Sequence, residues 1–242
     1  MTDSTSAEAQ NVSYEFTDPV AVISIDDGKA NALSHATLAG IEDSLDRAEQ
    51  DGARTVVIAG RPGKFSAGFD LTVMTSGPEQ ARDLLARGAR LGIRLFEFPR
   101  PVVLAVTGHA LAMGGILLCC ADVRIGADGP FKIGLNEVRI GMPVPAFAVE
   151  VCRDRLSPRA FTAAVQLAHI HTPVEARDAG FLDEVVAPDE VIARALEVGT
   201  ELAENLHATP FSLTRTTMRG VLAGELRDGL ARDLEAFNVE AP

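Results

Sequence analysis

Val102–Ala121, VVLAVTGHALAMGGILLCCA, is an almost unbroken apolar run, and burying it is the strongest demand this chain makes on its fold. Its length approaches the roughly 20 apolar residues that cross a bilayer as a helix. Thr107-Gly108-His109 interrupts it, however, and Gly114-Gly115 follows shortly. A buried strand over Val102–Val106, a tight turn and a buried helix from Met113 satisfy the pattern better, so the membrane reading is rejected. Such a unit must sit inside a large core. With 242 residues, 47% of them hydrophobic, the chain can build one.

The rest of the chain repeats the theme. Val20–Ile25 (VAVISI) is β-rich, and residues 12–16 can pair with it as a hairpin. Ser34 caps a helix to about Glu49, with Leu38, Ile41, Leu45 and Ala48 on one face and Asp51-Gly52 closing it. Thr55–Ala59 is a strand, and Gly60–Asp70 reads as a loop. Residues 79–98 form an amphipathic helix that stops before Pro99. Residues 122–126 and 182–187 read as strands, and 131–133 as a short apolar stretch. Helices are expected over 145–155, 158–168, 173–179, 189–206, 211–223 and 225–237. Strands alternating with helices in ββα-like units predict an α/β fold whose parallel strands are buried on both faces.

Charge and cysteine usage narrow the partners. The net charge of -12, with no basic stripe, argues against nucleic acid or an anionic membrane. It leaves room for an anionic small ligand held by a few backbone N–H groups and two or three Lys or Arg. Cys119, Cys120 and Cys152 are an odd set, two of them within the apolar run, which points to reduced, buried thiols and a cytoplasmic protein. Residues 1–11 are small and polar, expected as a flexible tail without the basic and apolar regions of a signal peptide.

Three segments carry chemistry. In Phe65-Ser66-Ala67-Gly68-Phe69-Asp70-Leu71, small residues follow a strand and precede a helix, where free N–H groups are electropositive. Taken alone it is a surface turn with Asp70 as a helix cap. Gly108–Gly115 repeats the arrangement after the strand at 102–106; its plain reading is close helix packing at Gly114-Gly115. Two such turns together could aim two donors at one oxygen. In Gly134-Leu135-Asn136-Glu137-Val138-Arg139-Ile140-Gly141, a carboxylate sits among apolar residues, where burial would raise its pKa towards that of a usable proton shuttle. A salt bridge from Glu137 to Arg139 or Arg124 is the plain alternative. His169-Ile170-His171 spaces two imidazoles as metal ligands could be, but without a Cys or carboxylate partner it reads as a solvated pair at a helix end, and no metal site is expected. Ser66 lacks the G-x-S-x-G elbow of a hydrolase, and no G-x-G-x-x-G follows a strand.

In this order, FSAGFDL, PVVLAVTGHALAMGG, GLNEVRIGMP and the later AxxAGFLDEVV at 176–186 are similar to the enoyl-CoA hydratase/isomerase (crotonase) family over about residues 20–190. The resemblance implies an α/β crotonase (ClpP-like) spiral of ββα repeats over 12–188 and a helical C-terminal region, 189–242, that builds a homotrimer or a hexamer of paired trimers. It implies an acyl-CoA thioester as substrate and no separate cofactor, coenzyme A entering as part of the substrate.

Carried over by position, the N–H of Phe69 matches the first oxyanion donor. The N–H of Met113 matches the second, or that of Gly114 if the match slips by one residue; the Met side chain suggests an altered pocket shape. Glu137 matches a catalytic glutamate shared by hydratases and isomerases. The hydratases' other glutamate falls on Ile116, and in this the GLNEVRIG segment resembles the mitochondrial-type 3,2-enoyl-CoA isomerases. Ala67, Gly68, Asp70, Leu71, Gly114, Ile116 and Asn136 surround the implied substrate site, with walls expected from Val73, Met74, the 79–98 helix and 143–147. Asp26–Leu33 matches the coenzyme A loop at Asn31-Ala32-Leu33 but lacks the common Arg-Pro. Ala30 then lies against the coenzyme, and Lys29 either supplies a cation or is an exposed loop lysine.

Hydration of a 2-enoyl thioester must hold a water and deliver a proton, which in the family occupies two carboxylates. A shift of the double bond from C3 to C2 needs one base and no water. The expected activity is therefore 3-enoyl-CoA isomerisation with Glu137 as shuttle. The alternatives are hydration in the same fold, or acyl-CoA binding without catalysis.

Overall fold

The computed structural model describes residues 11–236. Strands β1 (Val12–Thr17) and β2 (Val20–Ile25) form the expected antiparallel hairpin, Val12 opposite Ile25. The two-residue β3 (Ala32–Leu33) leads to helix α1 (His35–Gln50). Ser34 Oγ accepts from the Thr37 N–H at its start, and Leu38, Ile41, Leu45 and Ala48 are its buried face. Strand β4 (Thr55–Ala59) follows.

The stretch expected as a plain loop, Gly60–Asp70, contains β5 (Gly63–Ser66) and β6 (Gly68–Phe69) before the one-turn α2 (Leu71–Met74). Helix α3 (Pro78–Glu97) precedes β7 (Val102–Val106), β8 (Gly108–Leu111) and α4 (Met113–Cys120). Then come β9 (Val123–Ala127), β10 (Ile133–Gly134), a 3-10 turn over Val138–Ile140, and helices α5 (Ala146–Arg155), α6 (Pro158–Val165) and α7 (Pro173–Ala179). Strand β11 (Glu184–Val186), α8 (Val191–Asn205) and α9 (Ala208–Ala236) complete the order. The two C-terminal helices expected at 211–223 and 225–237 are thus one, running through Gly224, whose missing side chain faces open space.

A six-stranded sheet has the order β1-β2-β4-β7-β9-β11, all parallel except the first hairpin. A second parallel sheet, β10-β8-β5, is built from the strands that immediately follow β9, β7 and β4. Each repeat therefore gives one strand to each sheet and then a helix, which is the crotonase spiral of the α/β class. The central strands are buried on both faces, which is why their sequences are continuous rather than alternating. Val56, Ile58, Val102 and Leu104 face the main core with α1, α3, α4 and α5. Val57, Ala59, Val103 and Ala105 face α8 through Val191 and Ala195. Cutting a buried Leu such as Leu104 to Ala would cost about 2–5 kcal/mol.

Helix α9 is tied to this core by charge. Asp122 accepts from the Val102 N–H at 2.8 Å and from Arg215 at 2.6 Å, and Arg219 lies 3.3 Å away. Beside them Arg124, 1% exposed, pairs with Asp183 at 2.9 Å. Cys119, Cys120 and Cys152 are buried and free, with the Cys152 thiol 3.6 Å from Cys119 Sγ. Among the described residues no helix is long and apolar enough to cross a membrane. Of the expected tail at 1–11, only Asn11 lies within the described residues, and its carbonyl accepts from Asp26 N–H.

Candidate active site

The site begins with how the chain turns at the C-terminal ends of β2, β5 and β8. Asp27 organises the first turn: its carboxylate accepts from the N–H groups of Lys29 (2.7 Å), Asn31 (2.8 Å) and Ala32 (2.9 Å). Burial works to raise its pKa, but these bonds outweigh it and hold the group below the ordinary aspartate value. Asn31, fully buried and at φ 52, donates to Ile25 O at 2.7 Å and to Lys64 O and Phe65 O at 3.2 Å. This pins the Ala30 loop against β5. Asn31 was named from sequence only as part of the coenzyme A loop match, and Asp27 was not singled out; the signal was the Asx-rich D-D-G-K-A-N turn.

The second turn carries Phe69. Ser66 Oγ donates to Asn31 O and accepts from Gly68 N–H, and Asp70 N–H donates to Leu33 O. Alternate residues of a strand face opposite ways, so the Phe69 N–H between them turns away from the β3 ladder. Asp70 Oδ1 accepts from Thr72 N–H at 2.8 Å, which is its expected capping role.

The third turn carries Met113. Ala112 is held at φ 51, ψ -126, a conformation costing about 1–3 kcal/mol for a residue with a side chain. Its N–H donates to Gly134 O and its carbonyl accepts from Ile116 N–H, fixing it between β10 and α4. Met113 then opens α4 with the free N–H of a first helical turn. The two turns meet at Gly68. At φ 94, a Cβ there would lie 2.8 Å from Ala112 Cβ and 3.3 Å from Met113 N. Only glycine at 68 lets the Phe69 turn approach the Met113 turn this closely. Gly114 is set further back, where a Cβ would meet Ser66 O at 2.5 Å.

These turns wall a cavity of about 380 Å³. Ala30, Ala67, Phe69, Leu71, Ile116, Asn136 and Glu137 line it, as the sequence places them. Gly68, Asp70, Met113 and Gly114 stand behind its wall, and Lys29 is exposed next to Ala30. Met74, Leu85 of α3, Pro143 and Pro145 contribute as expected, whereas Val73 and Phe147 do not. Ile140 and Met142, not singled out from sequence, also line it. The Met113 side chain packs on α3 at Gly88 and Gly92, so the unusual residue at 113 does not reshape the cavity.

Glu137 is 6% exposed. Burial pushes its pKa up to about 7, only partly offset by its own backbone N–H. The alternative salt bridge is absent: Arg124 pairs with Asp183, and Glu137 has no ion pair among the described residues. Glu137 Oε2 and Asn136 Oδ1 are both buried without a hydrogen-bond partner. They are the polar side chains of an otherwise apolar lining, a strained state for a resting protein and an apt one for a proton shuttle.

The histidines lie elsewhere. His171 is 5% exposed, its ring against His169 and Phe181, and its backbone bridges Ile133. The expected solvated pair at a helix end is therefore half wrong: His171 is core. No group of three or more metal-ligating side chains is found among the described residues. His109 Nδ1 accepts from Lys132 N–H at 2.9 Å, and desolvation with nearby Lys64 and Lys132 lowers its pKa.

The enoyl-CoA hydratase/isomerase family matches residues 15–239. The chain is 33% identical over 223 residues to mitochondrial enoyl-CoA delta isomerase 1 of Mus musculus, covering 90% of this chain and 76% of that protein. It is 36% identical over 203 residues to a probable enoyl-CoA hydratase of Bacillus subtilis (strain 168), covering 80% and 76%. A solved enoyl-CoA hydratase/isomerase family protein from Pseudomonas syringae superposes with a TM-score of 0.91 at 39% identity, covering 94% of this chain and 98% of that one. The spiral, the paired turns and these likenesses agree: the chain belongs to the enoyl-CoA hydratase/isomerase (crotonase) family.

Proposed function

We propose that the protein isomerises 3-enoyl-CoA to 2-enoyl-CoA through an enolate, with Glu137 moving the proton. The observation that carries this reading is a single carboxylate, its Oε2 without a hydrogen-bond partner, in an apolar cavity, with Ile116 where hydration would need a second acid. Glu137 takes the C2 proton of the 3-enoyl thioester. The electron pair left behind is delocalised onto the thioester oxygen, which accepts from the N–H groups of Phe69 and Met113. Removing one such donor typically costs about 3–4 kcal/mol of transition-state stabilisation. As the enolate collapses, the double bond forms between C2 and C3 and the proton returns at C4, so atoms balance with no added water.

A pKa of about 7 suits both halves, since the same group must accept and then give the proton near neutral pH. The apolar side chains of Ile116, Leu85, Met74 and Met142 keep water from C3. The coenzyme passes Ala30 and Ala67, with Lys29 at the outer edge, and no separate cofactor takes part. We also propose a homotrimer, single or paired, with α9 at the contact: Leu213, Met218 and Val221 are 65–75% exposed on it.

Offering 3-enoyl-CoA and 2-enoyl-CoA side by side tests the reading. A shifted double bond from the first, with little 3-hydroxyacyl-CoA from the second, is expected, and Glu137→Gln should abolish the shift while binding survives. Comparable hydration of the second substrate would make it a hydratase; binding without turnover of either would make it a non-catalytic acyl-CoA-binding protein.

A further inference from the structure

Both amides assigned to the oxyanion hole belong to residues whose side chains pack on one helix, α3. Helix α3 carries Gly88 and Gly92 one turn apart on its buried side. A Cβ built on Gly88 would lie 2.4 Å from both Cε1 and Cζ of Phe69 and 3.5 Å from Met113 Cε. A Cβ on Gly92 would lie 3.7 Å from Met113 Cε and 3.4 Å from Cys120 Sγ and Phe147 Cε2. The Phe69 ring thus rests directly on the α3 backbone at Gly88, and the Met113 side chain spans the two glycines beside it.

From this geometry we infer that Gly88 is a positioning residue: its bare backbone is the socket that seats the Phe69 ring and so fixes where the Phe69 amide points. The inference rests on the enolate reading above. Phe69 belongs to the two-residue strand β6, which has few bonds of its own to hold it. A ring clamped between α3 and the β6 backbone supplies the missing constraint, and the Met113 side chain in the same notch links the second donor to it. Helix propensity opposes glycine in the middle of α3, so the close approach is the physical reason for it here. Gly92 is the internal control. It gains the same propensity on change to Ala, but the new methyl makes only ordinary contacts.

Wild type, Gly88→Ala, Gly92→Ala, Phe69→Leu and the double variant Gly88→Ala/Phe69→Leu are compared by kcat and KM on 3-enoyl-CoA. The ultraviolet absorbance of bound acetoacetyl-CoA, which grows as its enolate forms, is read in parallel. Displacing reacting groups by an ångström typically costs on the order of 10²-fold in rate. Gly88→Ala should lose kcat on that order with KM little changed, and should weaken the enolate band. Gly92→Ala should keep both near wild type. The shorter side chain in the double variant should recover about tenfold over Gly88→Ala. Wild-type kcat in Gly88→Ala, equal losses in both glycine variants, or no recovery in the double variant would each overturn the socket. If Gly88→Ala does not fold, Phe69→Ala empties the same socket without a clash; it should lower kcat at constant KM, and wild-type kcat there would also overturn it. A wild-type protein that neither ionises acetoacetyl-CoA nor turns over 3-enoyl-CoA would instead sink the enolate reading itself.

Discussion

Ile116 and Glu137 line the same cavity from different elements, Ile116 from α4 at 2% exposure and Glu137 from the residue just before the 3-10 turn at 6%. In the proposed mechanism, a buried aliphatic residue sharing the cavity with a buried acid sets the chemistry. The acid is desolvated and kept basic, and no second carboxylate lines the cavity among the described residues to position a water.

Ile116→Glu places a second acid in that wall. The double-bond shift should fall at least about tenfold and hydration of 2-enoyl-CoA should become measurable, as water can then be held between two carboxylates. Product analysis by chromatography of 3-hydroxyacyl-CoA reads the outcome. An unchanged product ratio would mean that residue 116 does not govern the reaction type.

The pH dependence of kcat/KM should report the free protein's base. Glu137 must be ionised to take the C2 proton, so the rate should rise with pH through an apparent pKa near 7 and flatten above it. A profile flat from pH 5 to 9 would mean that Glu137 is not the base.

Stability should show the same carboxyl with the opposite slope. Its folded pKa of about 7 lies above the ordinary 4.5, so the folded state holds its proton more tightly. That contribution is complete below pH 4.5 and is lost as pH rises through about 7. Glu137→Gln does not titrate, so its stability relative to wild type should improve across this window by up to about 3 kcal/mol. Denaturant unfolding at pH 5 and pH 8 measures it, and a constant difference would argue that the carboxyl is hydrated.

Gly68→Ala should close the gap between the two donor turns, since its methyl would fall 2.8 Å from Ala112 Cβ and 3.3 Å from Met113 N. Losing one donor typically costs about 10²–10³ in kcat. Steady-state assays should show such a loss, with a folded protein by circular dichroism. Wild-type turnover would mean that the amides need not lie side by side.

The long periodic elements and capped ends were legible in sequence because local chemistry determines them. Ser34, the 12–25 hairpin and the end of α3 before Pro99 are examples. The short strands β3, β5, β6 and β10 were not, since a two- to four-residue strand has no period of its own and exists only through partners distant in sequence. Separate helices were expected at 211–223 and 225–237, yet Arg215, Arg219, Leu226 and Leu230 anchor one continuous α9 on both sides of Gly224. The convergence of Glu137 and the turns at Phe69 and Ala112 on one cavity was legible from motif order. The unpaired Oε2 of Glu137, the burial of His171 and the Gly88 notch depend on what packs against them, which spacing does not reveal.

The most direct measurement follows one atom: 3-enoyl-CoA deuterated at C2, converted in a single turnover and read by NMR. Transfer by Glu137 in a cavity that excludes water predicts 2-enoyl-CoA with part of the deuterium at C4. A 3-hydroxyacyl product carrying solvent oxygen, with no deuterium ever reaching C4, would contradict it.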